Sequence, residues 1–519
     1  TVGEALGGRA AAASRAPARP ERLRRALEEL GPAFVKAGQY LSTRADLLAP
    51  PYLAELAKLQ DAVPPFPAEQ ARAEIERELG APVGRLFASF EGRPLASASV
   101  SQVHAARLRG GARVVVKVLR PGVRERVSLD LALIRELAEL LERRDPRWAF
   151  QRPTLIVDEI ARSVERELDL SVEAGHIERF ARQFAGDPTV RVPRVARELS
   201  SSRVLTMERF FGVKLDDLPA LRAAGHDPRA LARRLATHYL KMIYAHGFFH
   251  ADPHPGNLLA LEGGAIGYLD FGMMGRLDRR AREGLADAVA ALGRRDERAL
   301  SAALLSLAEY DDPPDERRFR EDMAELMDQY AYRPLSEWRL GRMLEQLLRE
   351  TSSHRVRVPA ELFLCVKALA ELESLTARLD PSFDAVAAAR PFIEASIKAR
   401  STPARVTEVL SSAARDAARA LASAPADLSE VMRQLRRGRL VVEFEHKGLE
   451  PALESLDRDS NRLSVAVLLG ALLIGSSLIV HARLPPVWRG VPVLGLGGYL
   501  AAAGLALWLL AGIVRHGRL

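Results

Sequence analysis

His250-Ala-Asp-Pro-His-Pro-Gly-Asn257, then Leu258-Leu-Ala-Leu-Glu-Gly-Gly-Ala-Ile-Gly-Tyr-Leu269, then Asp270-Phe-Gly272: this stretch decides how the chain reads. Two acidic centres, Asp252 and Asp270, stand eighteen residues apart. Between them, Asn257-Leu-Leu-Ala-Leu and Ile266-Gly-Tyr-Leu are apolar runs separated by Glu262-Gly-Gly264, the pattern of a tight β-hairpin. Loop, hairpin and second loop would gather Asp252, Asn257 and Asp270 around one pocket. Phosphoryl transfer needs that set: a carboxylate facing the attacking hydroxyl, and an Asn and a second Asp holding Mg²⁺ on the phosphates. Asp and Asn are also ordinary turn residues, and H-x-D-x-x-x-x-N arises by chance. Its weight comes from the D-F-G that follows the hairpin.

Composition sets the outer limits. The 519 residues are 48% hydrophobic, enough for a sizeable core and more than one domain. Lys and Arg number 75 against 67 Asp and Glu, a modest +8 that fits a solvated surface as well as attraction to anionic lipid. Nucleic acid is disfavoured as a partner, since aromatic content is 6% and no basic run is interleaved with aromatics. The one cysteine, Cys365, excludes an intrachain disulfide and reads as a core thiol.

Upstream, Arg113–Leu119 reads as the second strand of a hairpin, with Lys117 inside the run Val114-Val-Val-Lys-Val118. A lysine there needs a partner, or an edge facing water, because burying its charge alone is costly. In kinases the corresponding lysine holds the α- and β-phosphates and pairs with a helix glutamate. The loop before it, Leu95-Ala-Ser-Ala-Ser-Val-Ser-Gln-Val103, stands where a glycine-rich loop would cover a nucleotide. Ala96, Ser97, Ala98 and Ser99 carry a Cβ and do not readily adopt positive φ, so phosphate approach should differ from the glycine-rich case. Leu95, Val100, Ser101, Gln102 and Val103 complete the candidate nucleotide cover, with Met207 and Glu208 where a hinge between lobes would fall. Helices are expected over 123–144 and 153–184, the second with Ile160, Val164, Leu168 and Val172 as a buried stripe. Asp169 and Glu173 share a face four residues apart, which makes Glu173 the expected partner of Lys117. Glu167 and Asp169 are candidates to face Lys36, which with Gln39 lies on one face of an N-terminal helix. Any of these acids could equally belong to a solvated face. Gly38 permits close approach of another element.

Residues 51–91 read as short helices, 228–246 as a helix and 276–425 as almost wholly helical. Arg433–Arg439 is a possible membrane-surface patch or a solvated face. Residues 463–480 and 491–514 are apolar runs that reach roughly the 30 Å hydrocarbon thickness of a bilayer. A buried helical pair is the soluble alternative.

In their order and spacing, the segments Leu30-Gly-Pro-Ala-Phe-Val-Lys-Ala-Gly-Gln39, the Ala-rich loop ending Gln102-Val-His104, Glu167-Leu-Asp169 and His250–Asn257 resemble the UbiB/AarF family of atypical, kinase-like proteins linked to ubiquinone biosynthesis. The resemblance runs over nearly the whole chain. It implies an α+β, bilobal protein-kinase-like fold with a helical N-terminal extension over the active site and two C-terminal transmembrane helices. It implies ATP and Mg²⁺ as cofactors, Asp252 in the catalytic position, Lys117 on the phosphates, and Asn257 and Asp270 on the metal. It also implies a membrane lipid or quinone precursor, with other quinone-biosynthesis enzymes, as partners at the bacterial inner membrane, the catalytic domain facing the cytoplasm. The expected organisation is a flexible lead-in (1–20), a helical extension with Lys36 and Gln39 (21–91), an N-lobe (92–208), a C-lobe with helical additions (209–425), a charged segment (426–460) and a transmembrane hairpin (461–519). A protein Ser/Thr kinase and a nucleotide-binding scaffold with little catalysis are the alternatives.

Overall fold

The structure is a computed structural model that describes residues 19–44, 47–59, 63–144, 152–310, 313–331, 340–354, 356–400, 407, 411, 450–488 and 491–515. It divides into two compact units, Thr1–Val409 and Leu410–Leu519. Most of the expected lead-in, and the Arg433–Arg439 patch, lie outside the described residues.

The first unit opens with α1 (Arg19–Leu30), α2 (Pro32–Ser42) and α3 (Pro50–Leu56). Val35, Leu56 and Leu59 form their own small core with Leu27, Leu41 and Leu48 against it. Gly38 lets these helices close up: a Cβ there would push against the side-chain ends of Leu59 and, at 2.9 Å, Leu27. Helices α4 (Ala68–Leu79) and α5 (Val83–Leu86) lead into an antiparallel sheet of β1 (Phe87–Ser97), β2 (Ser101–Leu108) and β3 (Arg113–Leu119). Further along the chain come α6 (Val123–Arg144), α7 (Pro153–Glu167), α8 (Leu170–Gln183), β4 (Val190–Arg191) and β5 (Val204–Glu208). Strand β5 completes the sheet in the order β1-β2-β3-β5.

Strand alternation in β3 sorts its side chains between two cores. Val114, Val116 and Val118 pack with Ile75, Val83 and Phe87 on one face. Val115 and Leu119 face the larger core shared with α7, α8 and the C-terminal half. Lys117 lies in register with this second set, so its side chain is delivered to the cleft side.

Two local expectations are corrected here. Residues 87–91 belong to β1 rather than to a helix. Pro94 obscures the strand in sequence, yet β1 is an edge strand with register shifts around Pro94, where a missing N–H is tolerated. The single helix expected over 153–184 breaks at Leu168–Asp169. Asp169 is extended (φ −127°, ψ 95°) and accepts a bond from the Ser171 N–H at 2.9 Å, an N-cap that starts α8.

The C-terminal half of the unit begins with β6 (Val213–Lys214), α9 (Leu218–Ala223) and α10 (Pro228–Leu240), the last continuing as a π-helical turn, Lys241–His246. Then follow β7 (Phe248–His250), β8 (Leu258–Ala260), β9 (Ile266–Tyr268) and β10 (Met274–Arg276). Strands β8 and β9 form the expected hairpin, with Gly263 and Gly264 both at φ +72° in its turn. Strand β10 pairs with β7, bringing Met274 opposite His250. Helices α11 (Arg279–Arg294), α12 (Glu297–Leu307), α13 (Glu316–Ala331), α14 (Leu340–Ser353), α15 (Ala360–Leu379) and α16 (Ala385–Arg400) follow, mostly helical as expected among the described residues; nearly all of 401–425 lies outside them. Cys365 is fully buried in α15.

In the second unit α17 (Glu450–His481) and α18 (Val493–Arg515) are joined across the short pair β11 (Val487–Trp488) and β12 (Val491–Pro492). Ser477 Oγ and the Tyr499 hydroxyl lie 2.7 Å apart, and Gly498 lets α18 approach Ser476. Among the described residues one helical stretch, Ser464–His481, is long and apolar enough to cross a membrane; Val493–Leu507 is apolar but shorter. Val467, Leu468, Ile474 and Leu478 are exposed along the first.

Candidate active site

Strand β3 and helix α8 meet at Lys117. Its Nζ donates to both carboxylate oxygens of Glu173, at 3.0 and 2.9 Å, and lies 3.4 Å from Asp270 Oδ2. The lysine side chain is 13% exposed and that of Glu173 5%. Burial alone would lower the Lys117 pKa; Asp270 and Glu173 outweigh it and hold the ammonium above its ordinary range. The break at Asp169 matters to this geometry, because it lets α8 start afresh and turn Glu173 inward.

Asp270 is held by the turn that follows it. The Gly272 N–H donates to Asp270 Oδ1 at 2.8 Å, and the Phe271 N–H points to Glu173 Oε1 at 3.4 Å. Phe271 is fully buried, edge-on to Phe180 and His250. Burial works against charge on Asp270, but Lys117 and the Gly272 N–H prevail and bring its pKa down to about 2.

His250 ties the two acidic loops together. Its Nε2–H donates to the Asp270 carbonyl at 2.5 Å, and its Nδ1 accepts from the Asp252 N–H at 3.2 Å. One nitrogen donates and the other accepts, so the ring is neutral, in keeping with a pKa lowered by burial. Asn257 Nδ2 donates to Asp252 at the carbonyl (3.3 Å) and at Oδ2 (3.2 Å). The Leu269 N–H returns to the Asn257 carbonyl at 3.0 Å.

Lys117, Glu173, Asp252, Asn257 and Asp270 thus line one cavity of about 90 Å³. The donor chemistry suits Mg²⁺: an ionised Asp270 and the amide oxygen of Asn257 are hard oxygens, leaving positions for water and phosphate. The cavity is smaller than the roughly 300 Å³ at the low end of ligand pockets. Lys36 from α2 and Glu167 from α7 also line it, joined at 2.8 Å with 10% and 15% of their side chains exposed.

The remaining expected residues divide. Ala98, Val100 and Ser101 reach the cavity; Leu95, Ala96, Ser97, Ser99, Gln102, Val103, Met207 and Glu208 are not among its lining. Ala98 and Ser101 close a turn through Ala98 N–H to Ser101 O at 2.8 Å, and Arg120 braces it at Ala98 O (2.9 Å) and Ser97 Oγ (2.8 Å). Gln102 points to the opposite face of β2 and exchanges bonds with the Phe66 backbone at 3.0 and 3.2 Å. Met207 is buried in the sheet, and Glu208 Oε2 accepts from the Arg194 N–H at 3.3 Å. Asp169 is spent on the α8 cap rather than on Lys36. Gln39 donates to the Leu59 carbonyl at 3.1 Å, holding the extension's own turn.

The sequence reading missed His176, whose ring lies 3.0 Å from the Phe271 carbonyl and supports the Asp-Phe-Gly turn. It also missed a second cavity of about 560 Å³ on the other side of Lys36 and Glu167.

The four-stranded sheet with its lysine–glutamate pair, and the two acidic loops below it, define a kinase-like protein. Residues 58–304 match the ABC1 atypical kinase-like domain, 323–384 the UbiB helical domain and 447–515 the ABC1/UbiB kinase-like C-terminal domain. The chain is 35% identical to a probable protein kinase UbiB of Xanthomonas campestris, over 96% of this chain and 92% of that one. It is 31% identical to an uncharacterized protein in the hydrogenase 1 5′ region of Clostridium pasteurianum, over 96% and 94%. A solved complex of Rv3197 with erythromycin from Mycobacterium tuberculosis aligns at TM-score 0.47 and 26% identity, over 66% of this chain and 87% of that one. The chain belongs to the UbiB/AarF family of atypical kinase-like proteins.

Proposed function

We propose that this chain binds ATP with Mg²⁺ and acts as an atypical kinase or ATPase supporting isoprenoid-quinone synthesis at the bacterial cytoplasmic membrane. The observation that carries the reading is the convergence of Lys117, Glu173, Asp252, Asn257 and Asp270 on one cavity. Lys117, fixed by Glu173, would meet the α- and β-phosphates as a cation already in place. Asp270 and Asn257 would hold Mg²⁺, which neutralises charge on the phosphates. Asp252, oriented by Asn257, would face the attacking hydroxyl or water and accept its proton. Ala98, Val100 and Ser101 are the part of the cover that would lie nearest the nucleotide. Lys36 and Glu167 beside this cavity favour water or a small acceptor over a peptide.

The quinone pathway enters through the UbiB/AarF family resemblance, with a probable protein kinase UbiB among the relatives. Anchoring by α17 is supported by the apolar stretch Ser464–His481; α18, apolar over Val493–Leu507, would be the second span. Membrane lipid, a quinone precursor and other quinone-biosynthesis enzymes are the proposed partners, with the catalytic unit in the cytoplasm. Turnover of radiolabelled ATP by the full chain, with Asp252→Asn as control, tests the chemistry. Quinone profiling of a deletion strain complemented by either version tests the pathway. Equal turnover by both proteins would remove Asp252 from the mechanism.

A further inference from the structure

Beside the catalytic cavity lies the larger one, of about 560 Å³, and the two share Lys36, Arg166, Glu167, Gly272 and Met273 as a wall. Its mouth carries Arg162, Arg166, Arg179 and Arg276, drawn from α7, α8 and β10. None of these four guanidinium groups has an ion pair among the described residues. The acids nearby do not neutralise them. Glu159 is held by Tyr40 and by Arg44 at 3.0 Å, Glu167 is held by Lys36, and Glu361, which also lines the cavity, makes no ion pair with any of the four among the described residues. Arg179 lies over the Phe248 ring, 4.0 Å from its centroid, which fixes the cation at the boundary between mouth and floor. The Arg179 pKa is lowered by burial and by the neighbouring Arg276 and Arg182, so positive charge is crowded there. Ile160, Val164, Phe248, Met273, Met274 and Leu364 supply an apolar floor. Arginines bind phosphate and carboxylate through paired N–H groups, and methionines adapt to irregular chains.

We propose that this cavity binds an anionic amphiphile, its phosphate or carboxylate head held by Arg166, Arg179 and Arg276 and its tail laid along the Met273–Leu364 floor. The inference deepens the function proposed above by giving the site next to Asp252 a ligand class. The Lys36–Glu167 pair then separates the head from the phosphoryl-transfer cavity, and Arg166 touches both sides.

The test uses the full chain in neutral maltoside micelles without nucleotide, so it does not depend on whether Lys117 and Asp270 hold ATP. A diazirine-bearing dodecyl phosphate is photolysed and the labelled peptides are mapped. Labelling is expected on the peptides carrying Met273–Met274 or Leu364. Excess dodecyl phosphate should reduce it at least tenfold, while equal inorganic phosphate or dodecanol leaves it largely intact. Arg179→Gln combined with Arg276→Gln should lower labelling at least fivefold, and Arg179→Lys should retain most of it. Melting temperatures check that all variants fold. Competition by phosphatidylglycerol vesicles identifies a membrane lipid as the source of the head; lack of competition identifies a soluble amphiphile, and either supports the site. Labelling confined to other peptides, labelling unchanged in the folded double variant, or equal competition by phosphate or dodecanol would overturn it.

Discussion

Lys36 Nζ stands 2.8 Å from Glu167 Oε2, and this pair joins α2 of the N-terminal extension to α7 at the wall between two cavities. Both side chains are mostly buried, so their attraction is screened less than that of a surface pair. The extension is therefore tied to the cleft that holds Lys117, Asp252 and Asp270 by an ion pair as well as by apolar packing of its helices.

Removing that tie should open the cleft. Lys36→Ala should raise self-phosphorylation several-fold over the wild type, and Ala98→Gly should do so too by loosening the turn to Ser101. Asp252→Asn added to either should abolish the gain. Radiolabelled ATP with all five proteins decides it. Robust transfer by wild type to an added protein, unchanged in Lys36→Ala, would favour a conventional protein kinase.

Glu173→Gln should weaken binding of MgATP by about tenfold, on the order of 1.4 kcal/mol. The amide keeps the shape but no longer fixes the Lys117 ammonium, which is left to Asp270 alone. Calorimetric titration with MgATP measures the loss, and a melting curve separates it from unfolding. An unchanged affinity would show that Lys117 needs no helix partner.

The two acidic loops were legible because their signals are local: His250, Asp252, Asn257 and Asp270 lie within one hairpin's length, and the glycines at 263 and 264 mark its turn. Glu173 could be chosen across 56 residues because a buried lysine demands a carboxylate and helical spacing supplied few. Asp169 misled for the same reason. An acid on an apolar-striped segment looks like a helix-face charge, and only its extended backbone reveals the cap. Strand β1 was hidden by Pro94, which only its place at the sheet edge excuses. The arginine-rimmed cavity had no sequence signal. Arg162, Arg166, Arg179 and Arg276 are scattered through an arginine-rich chain and converge only when β10 packs beside α7 and α8.

Asp270→Asn should abolish the Mg²⁺-dependent part of nucleotide stabilisation, since it removes the charged oxygen from a hard-cation site. With a pKa near 2 in the fold and about 3.9 unfolded, Asp270 is ionised throughout the neutral range. Its stabilising contribution is complete above about pH 4 and is lost as pH falls from there towards 2. Metal-dependent binding should therefore show no titration of this group between pH 5 and 8. Thermal shift with and without Mg²⁺ tests both statements; an equal shift in the variant rules Asp270 out as a ligand.

Truncation after residue 460 should release the chain from membranes while nucleotide binding survives. In the apolar stretch Ser464–His481 only Ser476 is buried, and the two units are compact separately. Carbonate-washed membrane fractions of both forms provide the comparison. Full-length chain in the soluble fraction without detergent would refute the anchor.

His238 offers a pH test of the fold. Its ring is buried in α10, with Nε2 2.9 Å from Thr189 Oγ1 and Nδ1 3.2 Å from the Tyr268 hydroxyl. Burial pushes its pKa down to about 4; Asp187 opposes the shift, while Lys241 and Arg234 add to it. In the unfolded chain the same ring takes a proton near pH 6.5, so below that value the unfolded state binds more protons than the native one. Stability from the neutral ring is therefore complete above about 6.5 and is lost as pH falls towards 4. At 1.36 kcal/mol per unit, the loss between pH 7.5 and 4.5 amounts to roughly 2–3 kcal/mol. Other groups titrate in this window, so the test is a difference. His238→Gln, which has no charge to gain, should be less stable than wild type at pH 7.5 through imperfect bonds to Thr189 and Tyr268. That gap should narrow by roughly 2–3 kcal/mol at pH 4.5, because only the wild type carries the cost of the buried ring. Urea melts of both proteins in the same micelles at the two pH values measure it. A gap independent of pH would mean that the ring titrates normally, and that solvent reaches the Thr189–His238–Tyr268 chain.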